Sequence, residues 1–517
     1  MSGTSNRRDV LSGGAAAFGG AALPGAARAA VASGGVRLGP SRPFTFDGLI
    51  AQAKALAAQP YRAPPPADPL LDKFEFDTYG QIVFDPKMTL WGGADEPAVQ
   101  LFSIGKYFKT PVEISLVDRG AARPVIYESR LFQAPAANPF HQLRHGGFAG
   151  FRVMNDKEPG DWLAFLGASY FRAAAPFNQY GASARGLSIN SGGPAPEEFP
   201  AFTAFWLETA PDRRLVVYAL LEGESVCGAY RIDCRKRSDG ATQAVDAALF
   251  FRRPVAQVGI GQITSMFWYG ENSTPVRRDW RPEIHDSDGL ALWTGTGERI
   301  WRPLADPPRI TTNAFQDTNP KGFGLMQRDR VFDHYHDDGA FYEKRPSVWI
   351  EPDAPFGAGS VRLLEMSTNT ETDDNIGAFW TPREPVKAGT AIRAKYTIHW
   401  TGKDFGPPIP AYVVATREGV GGRPGLSQRS GYRRFAIDFT GDSLKGLNRQ
   451  SGVDAVVTAS GASIDEIAAY PVVGTDLWRL IFEIKPSDAP STDVRAFLRR
   501  NGGALSETWL YELFPEK

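Results

Sequence analysis

The chain has 517 residues, about twice the length at which a single hydrophobic core stops growing, so two domains are expected. Its 57 Lys and Arg residues balance 58 Asp and Glu residues, which excludes the electrostatic signature of a protein that binds nucleic acid or an anionic membrane. With 54 glycines, 40 prolines and 12% aromatic residues, the composition favours an all-β chain over a helical bundle.

The first 29 residues have the pattern of an export signal. A basic start with Arg7 and Arg8 precedes a weakly apolar Gly- and Ala-rich stretch, and 27–29 (ARA) is a small-x-small cleavage pattern. Paired arginines indicate the twin-arginine route, so the mature protein is predicted to be periplasmic; the alternative is a disordered tail with a chance arginine pair. No later apolar run reaches the ~18 residues of a membrane-spanning helix, so we expect a soluble protein without membrane insertion.

After the signal, the chain alternates short β segments with turns. Residues 47–58 (DGLIAQAKALAA) are the main exception, because Leu49, Ile50, Ala53 and Leu56 share one helical face. The predicted β segments are 81–84, 111–116, 124–127, 215–221, 247–251, 361–366 and 392–400. No βαβ alternation occurs, which argues against a doubly wound sheet.

A polar, Pro-containing stretch at 381–389 predicts the domain boundary. Beyond it, six or seven short strands within 389–517 are typical of a small immunoglobulin-like sandwich. The preceding part, 40–382, is too long for one simple sandwich and is predicted to be an extended antiparallel β assembly. Cys227 and Cys234 either close a small disulfide loop or remain free and buried, and the sequence leaves both open.

Two groups of carboxylates are the candidate chemistry, at 281–289 (RPEIHDSDG) and 371–375 (ETDDN). Crowded acids raise the proton affinity of at least one member, and a general acid needs a carboxyl that keeps its proton. From spacing alone, a solvated acidic turn is the favoured alternative, or a turn cap or calcium-loop fragment for Asp286 and Asp288. His334 and His336 form an i, i+2 pair that indicates a surface position more than a metal site.

Between the two acid groups, aromatic residues and arginines are interleaved, which hints at a carbohydrate groove. Aromatic faces stack on sugar rings, while arginines and carboxylates hydrogen-bond sugar hydroxyls. Many of these rings must also belong to the core. The candidate sugar contacts in this stretch are Tyr335, Arg328, Arg330, Trp349, Arg345 and Trp301.

Several longer motifs occur together in a fixed order. They are 167–172 (GASYFR), 183–187 (SARGL), 197–202 (EEFPAF), 264–267 (TSMF), 281–290, 301–304 (WRPL), 322–330 (GFGLMQRDR), 345–352 (RPSVWIEP) and 374–376 (DNI). From about Phe44 to the C-terminus, this pattern strongly resembles the periplasmic glucan biosynthesis family, the OpgG/OpgD (MdoG/MdoD) proteins. The resemblance implies a large mutarotase-like β-sandwich followed by a small immunoglobulin-like β-sandwich, often as a homodimer.

The same resemblance implies an action on β-1,2-glucan as an inverting endo-β-1,2-glucanase. By position in the family motifs, Asp374 corresponds to the general acid, and Asp286 to the base side, which acts through a relay of water and substrate hydroxyl. Glu371 corresponds to a supporting group of the same constellation. The resemblance implies neither a metal nor an organic cofactor. Two alternatives stay open: a β-1,2-glucan transglycosylase using the same acid, and a non-catalytic glucan-binding protein.

Overall fold

The computed structural model describes residues 35–273, 279–423, 425, 427–487 and 489–515, so the predicted signal at 1–29 lies outside the described residues. In these ranges the α-helices are Phe46–Ala57 and Phe76–Gly80. Short 3₁₀ turns occur at Pro69–Lys73, Pro86–Met88, Ser129–Leu131, Pro139–Gln142, Phe332–His334, Tyr342–Lys344 and Asp442–Leu444. None of the described helices is both long and apolar enough to cross a bilayer.

The predicted helix at 47–58 is confirmed as Phe46–Ala57. Thr45 caps it, because the Thr45 hydroxyl accepts a hydrogen bond of 3.0 Å from the backbone N–H of Gly48. Leu49 and Ala53, on the inner face of the helix, are buried in a cluster that includes Leu220 of the first sheet. The helix therefore covers the outer face of the first sheet.

The first sheet has 16 strands within the described residues and runs through the whole molecule. In spatial order its strands are Arg42–Pro43, Ala121–Pro124, Glu113–Asp118, Ala201–Ala210, Arg214–Glu222, Val226–Arg237, Gly240–Phe251, Ala391–Thr401, Ser347–Pro352, Gly322–Met326, Gly289–Trp293, Arg299–Pro303, Thr508–Leu513, Thr492–Arg500 and Val453–Ala459, with Gly503–Ala504 paired to Thr492–Arg500.

The second sheet has 11 strands and faces the first. Its spatial order is Thr311–Thr318, Ala358–Glu365, Ile376–Pro382, Val258–Ser265, Ser183–Arg185, Tyr170–Ala173, Asp161–Leu166, Phe148–Met154, Ala98–Ser103 and Leu90–Trp91, with Ser188–Ile189 paired to Val258–Ser265. Two short ribbons join Phe267–Tyr269 to Ile284–His285 and Val83–Phe84 to Phe132–Gln133.

A single hydrophobic core fills the space between these two sheets. Phe151 of the second sheet meets Phe205 of the first edge to face, with ring centroids 5.4 Å apart, and both side chains are fully buried. Strand Arg214–Glu222 is apolar almost throughout because one face packs into this core and the other lies under the helix. The all-β class is confirmed.

The C-terminal part forms a second, smaller sandwich. Its separate sheet consists of Tyr412–Val420, Arg433–Thr440, Trp478–Lys485 and Ser463–Pro471. The opposite layer is the end of the first sheet, which continues across the junction through a parallel pairing of Trp301 with Trp509. The small core consequently includes Trp301 and Trp349 of the large sandwich.

One predicted strand lies in a different sheet from the one expected. The predicted boundary at 389 places the segment 392–400 in the small domain, whereas Ala391–Thr401 lies in the first sheet between Gly240–Phe251 and Ser347–Pro352. Its buried residues at every second position indicate a half-buried strand of either domain, so the pattern does not distinguish the two. After Thr401 the chain crosses to the separate sheet at Tyr412–Val420, and it returns to the first sheet at Val453–Ala459.

The question left open for the two cysteines is settled in this structure. Cys227 and Cys234 are both buried and free. They lie on one continuous strand, Val226–Arg237, where seven residues at ~3.3 Å each hold them far apart. A disulfide between them would require that strand to break.

Candidate active site

A three-residue segment, Ser265 to Phe267, connects the two carboxylate groups predicted from the sequence. Ser265 ends strand Val258–Ser265 and pairs with Ile376, the first residue of the strand that follows Asp374. The N–H of Asp286 donates to the carbonyl of Met266 at 2.9 Å. The two acid groups, whose motifs start 90 positions apart in the sequence, are therefore anchored to one segment.

Asn375 fixes the second of these groups to the segment. Its side-chain oxygen accepts from the N–H of Phe267 at 2.9 Å, and its amide donates to the carbonyls of Phe267 and Met366 at 2.8 and 2.9 Å. Asn375 is 2% exposed, so these three hydrogen bonds are shielded from water. They hold the half-buried Asp374, the preceding residue, at the start of its strand.

Asp286 is completely buried and faces an arginine. The Nε of Arg345 lies 3.6 Å from Oδ1 of Asp286, close enough for its positive charge to stabilise the ionised carboxylate. A Cβ at position 181 would lie 3.0 Å from the Cβ of Arg345, so the glycine at 181 leaves room for the Arg345 side chain. His285 and Arg281, which lie near Asp286 in the sequence, have other side-chain partners.

Arg281 instead holds Glu371. Its guanidinium donates to the two carboxylate oxygens of Glu371 at 2.8 and 3.2 Å and also pairs with Asp279 and Asp337. The hydroxyl of Tyr342 donates to Glu371 at 2.5 Å. The hydrogen bond from Arg281 lowers the pKa of Asp279 to about 2.

The acids at 371–375 thus do not simply repel one another, as their spacing suggested. Glu371 is directed to Arg281 and Tyr342, while Oδ2 of the exposed Asp373 accepts from the Thr368 hydroxyl at 3.0 Å. The resulting site combines a buried carboxylate at Asp286, a half-buried carboxylate at Asp374, and the arginine and tyrosine donors that contact Asp286 and Glu371. Such a set can exchange protons with a hydroxyl or water and bind sugar hydroxyls.

Most of the predicted sugar contacts lie inside the molecule. The exposed fractions are 0% for Tyr335, 1% for Trp349 and 4% for Trp301. Their faces pack in hydrophobic clusters, so the structure places these rings as packing residues rather than as open sugar platforms. Arg345, one of the six, lies beside Asp286.

The two other predicted arginines support the surroundings of the site. The guanidinium of Arg328 lies 3.8 Å from the ring centroid of Trp301 and donates to both carboxylate oxygens of Glu507 at the domain junction. Arg330 donates to the backbone carbonyls of Glu343 and Arg345 at 2.9 and 3.0 Å. Arg330 therefore fixes the backbone that carries Arg345.

Sequence reasoning missed several polar residues that organise the site. Asp337 and Arg281 meet across 56 positions of the chain, and no spacing pattern reports such a contact. Gln327 donates to the hydroxyl of Tyr335 and to the carbonyls of His285 and Tyr342 at 3.0–3.1 Å. Its place inside the 322–330 motif was the one available signal.

A second polar cluster lies beside the site, between the large sandwich and strand Tyr412–Val420. Oε2 of Glu283 and the side chain of Gln327 flank the ring of His285 at 3.0 Å on either side. Burial lowers the pKa of His285, but the hydrogen bond and charge of Glu283 outweigh burial, so its pKa is raised overall. Burial also raises the pKa of Glu271 to about 8 and that of Asp288 to about 6.

The amino-acid sequence of the chain is similar to those of a known protein family. The model of a family described as periplasmic glucan biosynthesis protein, MdoG, matches residues 44–513. Glucans biosynthesis protein D 2 of Ralstonia nicotianae is 43% identical over 506 residues, covering 94% of each chain. Glucans biosynthesis protein D of Stenotrophomonas maltophilia is 42% identical over 516 residues, covering 97% of this chain and 95% of that protein.

A galactose mutarotase related enzyme from Lactobacillus acidophilus shares 9% sequence identity, covers 49% of this chain and 94% of its own, and has a TM-score of 0.22. A likeness with that TM-score does not define the fold, which follows from the two sheets and the core between them.

Proposed function

The chain belongs to the MdoG periplasmic glucan biosynthesis family, and on that premise we propose that it is a periplasmic, inverting endo-β-1,2-glucanase. The observation that carries the proposal is the attachment of Asp286 and Asn375, the neighbour of Asp374, to consecutive residues of one short segment. An inverting glycosidase needs two carboxyl groups in one site, one as acid and one to activate water.

Asp374 is the proposed general acid. It is half-buried and lies directly before a strand, where Asn375 fixes its backbone. A rigid backbone favours a constant distance between the carboxyl and the glycosidic oxygen that receives the proton. Glu371, held by Arg281 and Tyr342, is proposed to orient the sugar on the acid side.

Asp286 is the proposed base-side group. Its carboxylate is 0% exposed, so it cannot contact a polysaccharide directly and would act through an intervening water and a substrate hydroxyl. Arg345, 3.6 Å away, supports the ionised form that accepts the proton. The burial of Asp286 therefore agrees with a relay better than with direct attack.

The test is incubation of the purified chain with linear β-1,2-glucan, with products followed by chromatography and by the anomeric protons in NMR spectra. We expect short oligosaccharides whose first-formed reducing ends are α-anomers. Asp374→Asn is expected to lose about 10²–10⁴-fold in rate, the usual contribution of a general acid. Asp373→Asn, the exposed neighbour bonded to Thr368, is the matched control and should stay within about threefold.

Each other outcome points to a different function. Rearranged or cyclised glucans without new reducing ends would replace hydrolysis by transglycosylation. A glucan that is bound but unchanged would indicate a non-catalytic binding protein. Cleavage that survives Asp374→Asn at full rate would remove Asp374 as the acid.

A further inference from the structure

One tryptophan next to the candidate active site is exposed to solvent. All 12 tryptophans of the chain lie in the described ranges, and the others are buried or half-buried. The exception is Trp280, which is 71% exposed. It directly precedes Arg281, the arginine that holds Glu371 by two hydrogen bonds. The rings expected from the sequence to contact sugar are buried, whereas this ring, which was not among them, is accessible.

The backbone on which Trp280 is carried is fixed by hydrogen bonds. The N–H of Arg281 donates to Oδ1 of Asp279 at 3.0 Å and closes a turn across Trp280. The carbonyl of Arg281 accepts from the hydroxyl of Tyr269 at 3.1 Å. The indole ring is therefore attached to an ordered turn while most of its surface stays in water. A side chain carried in this way loses little conformational entropy when a ligand covers it.

A group that can bind sugar hydroxyls lies next to this turn. The side chain of Glu371 is 34% exposed, so its carboxylate, oriented by Arg281 and Tyr342, stays accessible to a ligand. Glu371 also lies three residues before Asp374 in the sequence. A sugar ring has apolar C–H faces and a rim of hydroxyls, so its recognition needs a flat aromatic face and hydrogen-bonding groups together. Trp280 and Glu371 supply these two components.

We infer that Trp280 is a sugar-stacking residue, which binds one glucose ring of the glucan next to the unit whose glycosidic bond is cleaved. The inference rests on the proposed function, because the substrate class is taken from it. A contact with another protein would need a contiguous apolar patch, whereas the described residues on either side of Trp280, Asp279 and Arg281, are charged. Stacking on a remote ring stabilises the bound ground state and the transition state alike, so it contributes to binding more than to the chemical step.

The test measures glucan binding without cleavage, by calorimetry of linear β-1,2-glucan oligosaccharides with chains that carry Asp374→Asn. We expect Trp280→Ala to weaken binding about tenfold, and Trp280→Phe, which keeps a flat ring, to stay within about threefold. When Asp374 is intact, Trp280→Ala should raise KM more than it lowers kcat. Phe76→Ala, which removes another exposed ring, 39% exposed on the helix Phe76–Gly80, is the matched control and should bind as its parent does.

A second measurement follows the ring itself. Because Trp280 is the exposed member of the 12 tryptophans, acrylamide should quench a part of the wild-type fluorescence that is missing in Trp280→Phe. Glucan should protect this part from quenching, since a stacked sugar covers the ring.

The possible outcomes separate this inference from the proposed function. The inference is overturned, while the hydrolysis stands, if the chain cleaves glucan but Trp280→Ala binds it as tightly as Phe76→Ala does. Weaker binding by Trp280→Ala supports the inference even if the wild-type chain binds the glucan without cleaving it. A wild-type chain that neither binds nor cleaves the glucan overturns both. A Trp280→Ala chain that dissociates from dimer to monomer with unchanged glucan affinity would replace the sugar by a second copy of this chain.

Discussion

Two arginines from one stretch of the sequence, Arg328 and Arg345, differ in how fully protein groups hydrogen-bond their guanidinium groups. Arg328 is 6% exposed, stacks on Trp301, and donates to Glu507 at 2.6 and 3.2 Å at the junction of the two sandwiches. Arg345 is 17% exposed, and its Nε has no hydrogen-bond partner among the described residues, the oxygen of Asp286 being 3.6 Å away.

The difference separates an arginine whose guanidinium is engaged by protein groups from one whose Nε is left without a hydrogen bond. Buried polar groups in folded proteins are nearly always hydrogen-bonded, so an incompletely bonded guanidinium beside a buried carboxylate is a place where substrate or water completes the network. A guanidinium fully engaged by protein groups has no such capacity. Both arginines look alike in sequence, and only their partners distinguish them.

The largest effect expected from this comparison is on stability. Arg328→Met leaves Glu507, which is 1% exposed, buried without its counter-charge, and breaking such a pair costs about 3–5 kcal/mol in the free energy of unfolding. Urea unfolding followed by fluorescence measures this loss. The matched control is Arg495→Met, which removes an exposed pair with Glu298 at the same junction and should cost less than about 1 kcal/mol.

A double variant makes that prediction sharper. Arg328→Met combined with Glu507→Leu removes both buried charges and should recover most of the stability lost in Arg328→Met alone. If the two single variants at positions 328 and 495 lose equal stability, the junction pair has no special role.

For Arg345 the largest expected effect is on the rate. Arg345→Met is expected to reduce the rate of glucan cleavage per folded molecule about 10–100-fold, equivalent to about 1.4–2.7 kcal/mol in the barrier, and also to lower the free energy of unfolding, because Asp286 is then buried without its counter-charge. Arg345→Lys keeps the charge near Asp286 and should recover part of the rate. The comparison fails if Arg345→Met destabilises the chain as strongly as Arg328→Met and leaves the rate per folded molecule unchanged.

The sequence predicted the fold class and the first helix because these depend on local pattern. Turn formers, aromatic content and the apolar face around Leu49 act within a few residues. The sheet that contains Ala391–Thr401 was not predictable in this way, because alternation specifies a buried face but not the neighbouring strand. The continuous sheet from Trp301 to Trp509 joins residues that no local pattern relates.

The same distinction applies to the candidate site, where sequence motifs identified the acids but not the residues that contact them. Asp286 and Asp374 could be named because long motifs carried them, and the structure anchors both groups to Ser265–Phe267; their catalytic roles remain proposals. The partners of Arg281 could not be read from the sequence, since Asp337 and Glu371 lie 56 and 90 positions away. Aromatic residues in a charged stretch indicated carbohydrate binding, but burial decides whether a ring is available, and burial is a property of the fold.

The smallest expected effect concerns acid stability at the Arg281 side of the site. The pKa of Asp279 is lowered to about 2 by Arg281, from an ordinary value near 3.8, so the folded state holds this proton less tightly than the unfolded state. The ion pair therefore stabilises the fold above about pH 4, and this contribution is lost as the pH falls towards 2.

Asp279→Asn should consequently lower the free energy of unfolding by less than about 1 kcal/mol at neutral pH, because the pair is partly exposed, and the difference from wild type should shrink between pH 4 and 2. Urea unfolding across this pH range measures the difference. Asp239→Asn, at an exposed turn residue in the hairpin after Val226–Arg237, is the control and should change the free energy of unfolding by less than about 0.5 kcal/mol. A difference that grows as the pH falls would mean that Asp279 is not held ionised by Arg281. The guanidinium of Arg281 would then, like that of Arg345, not be fully engaged by protein groups.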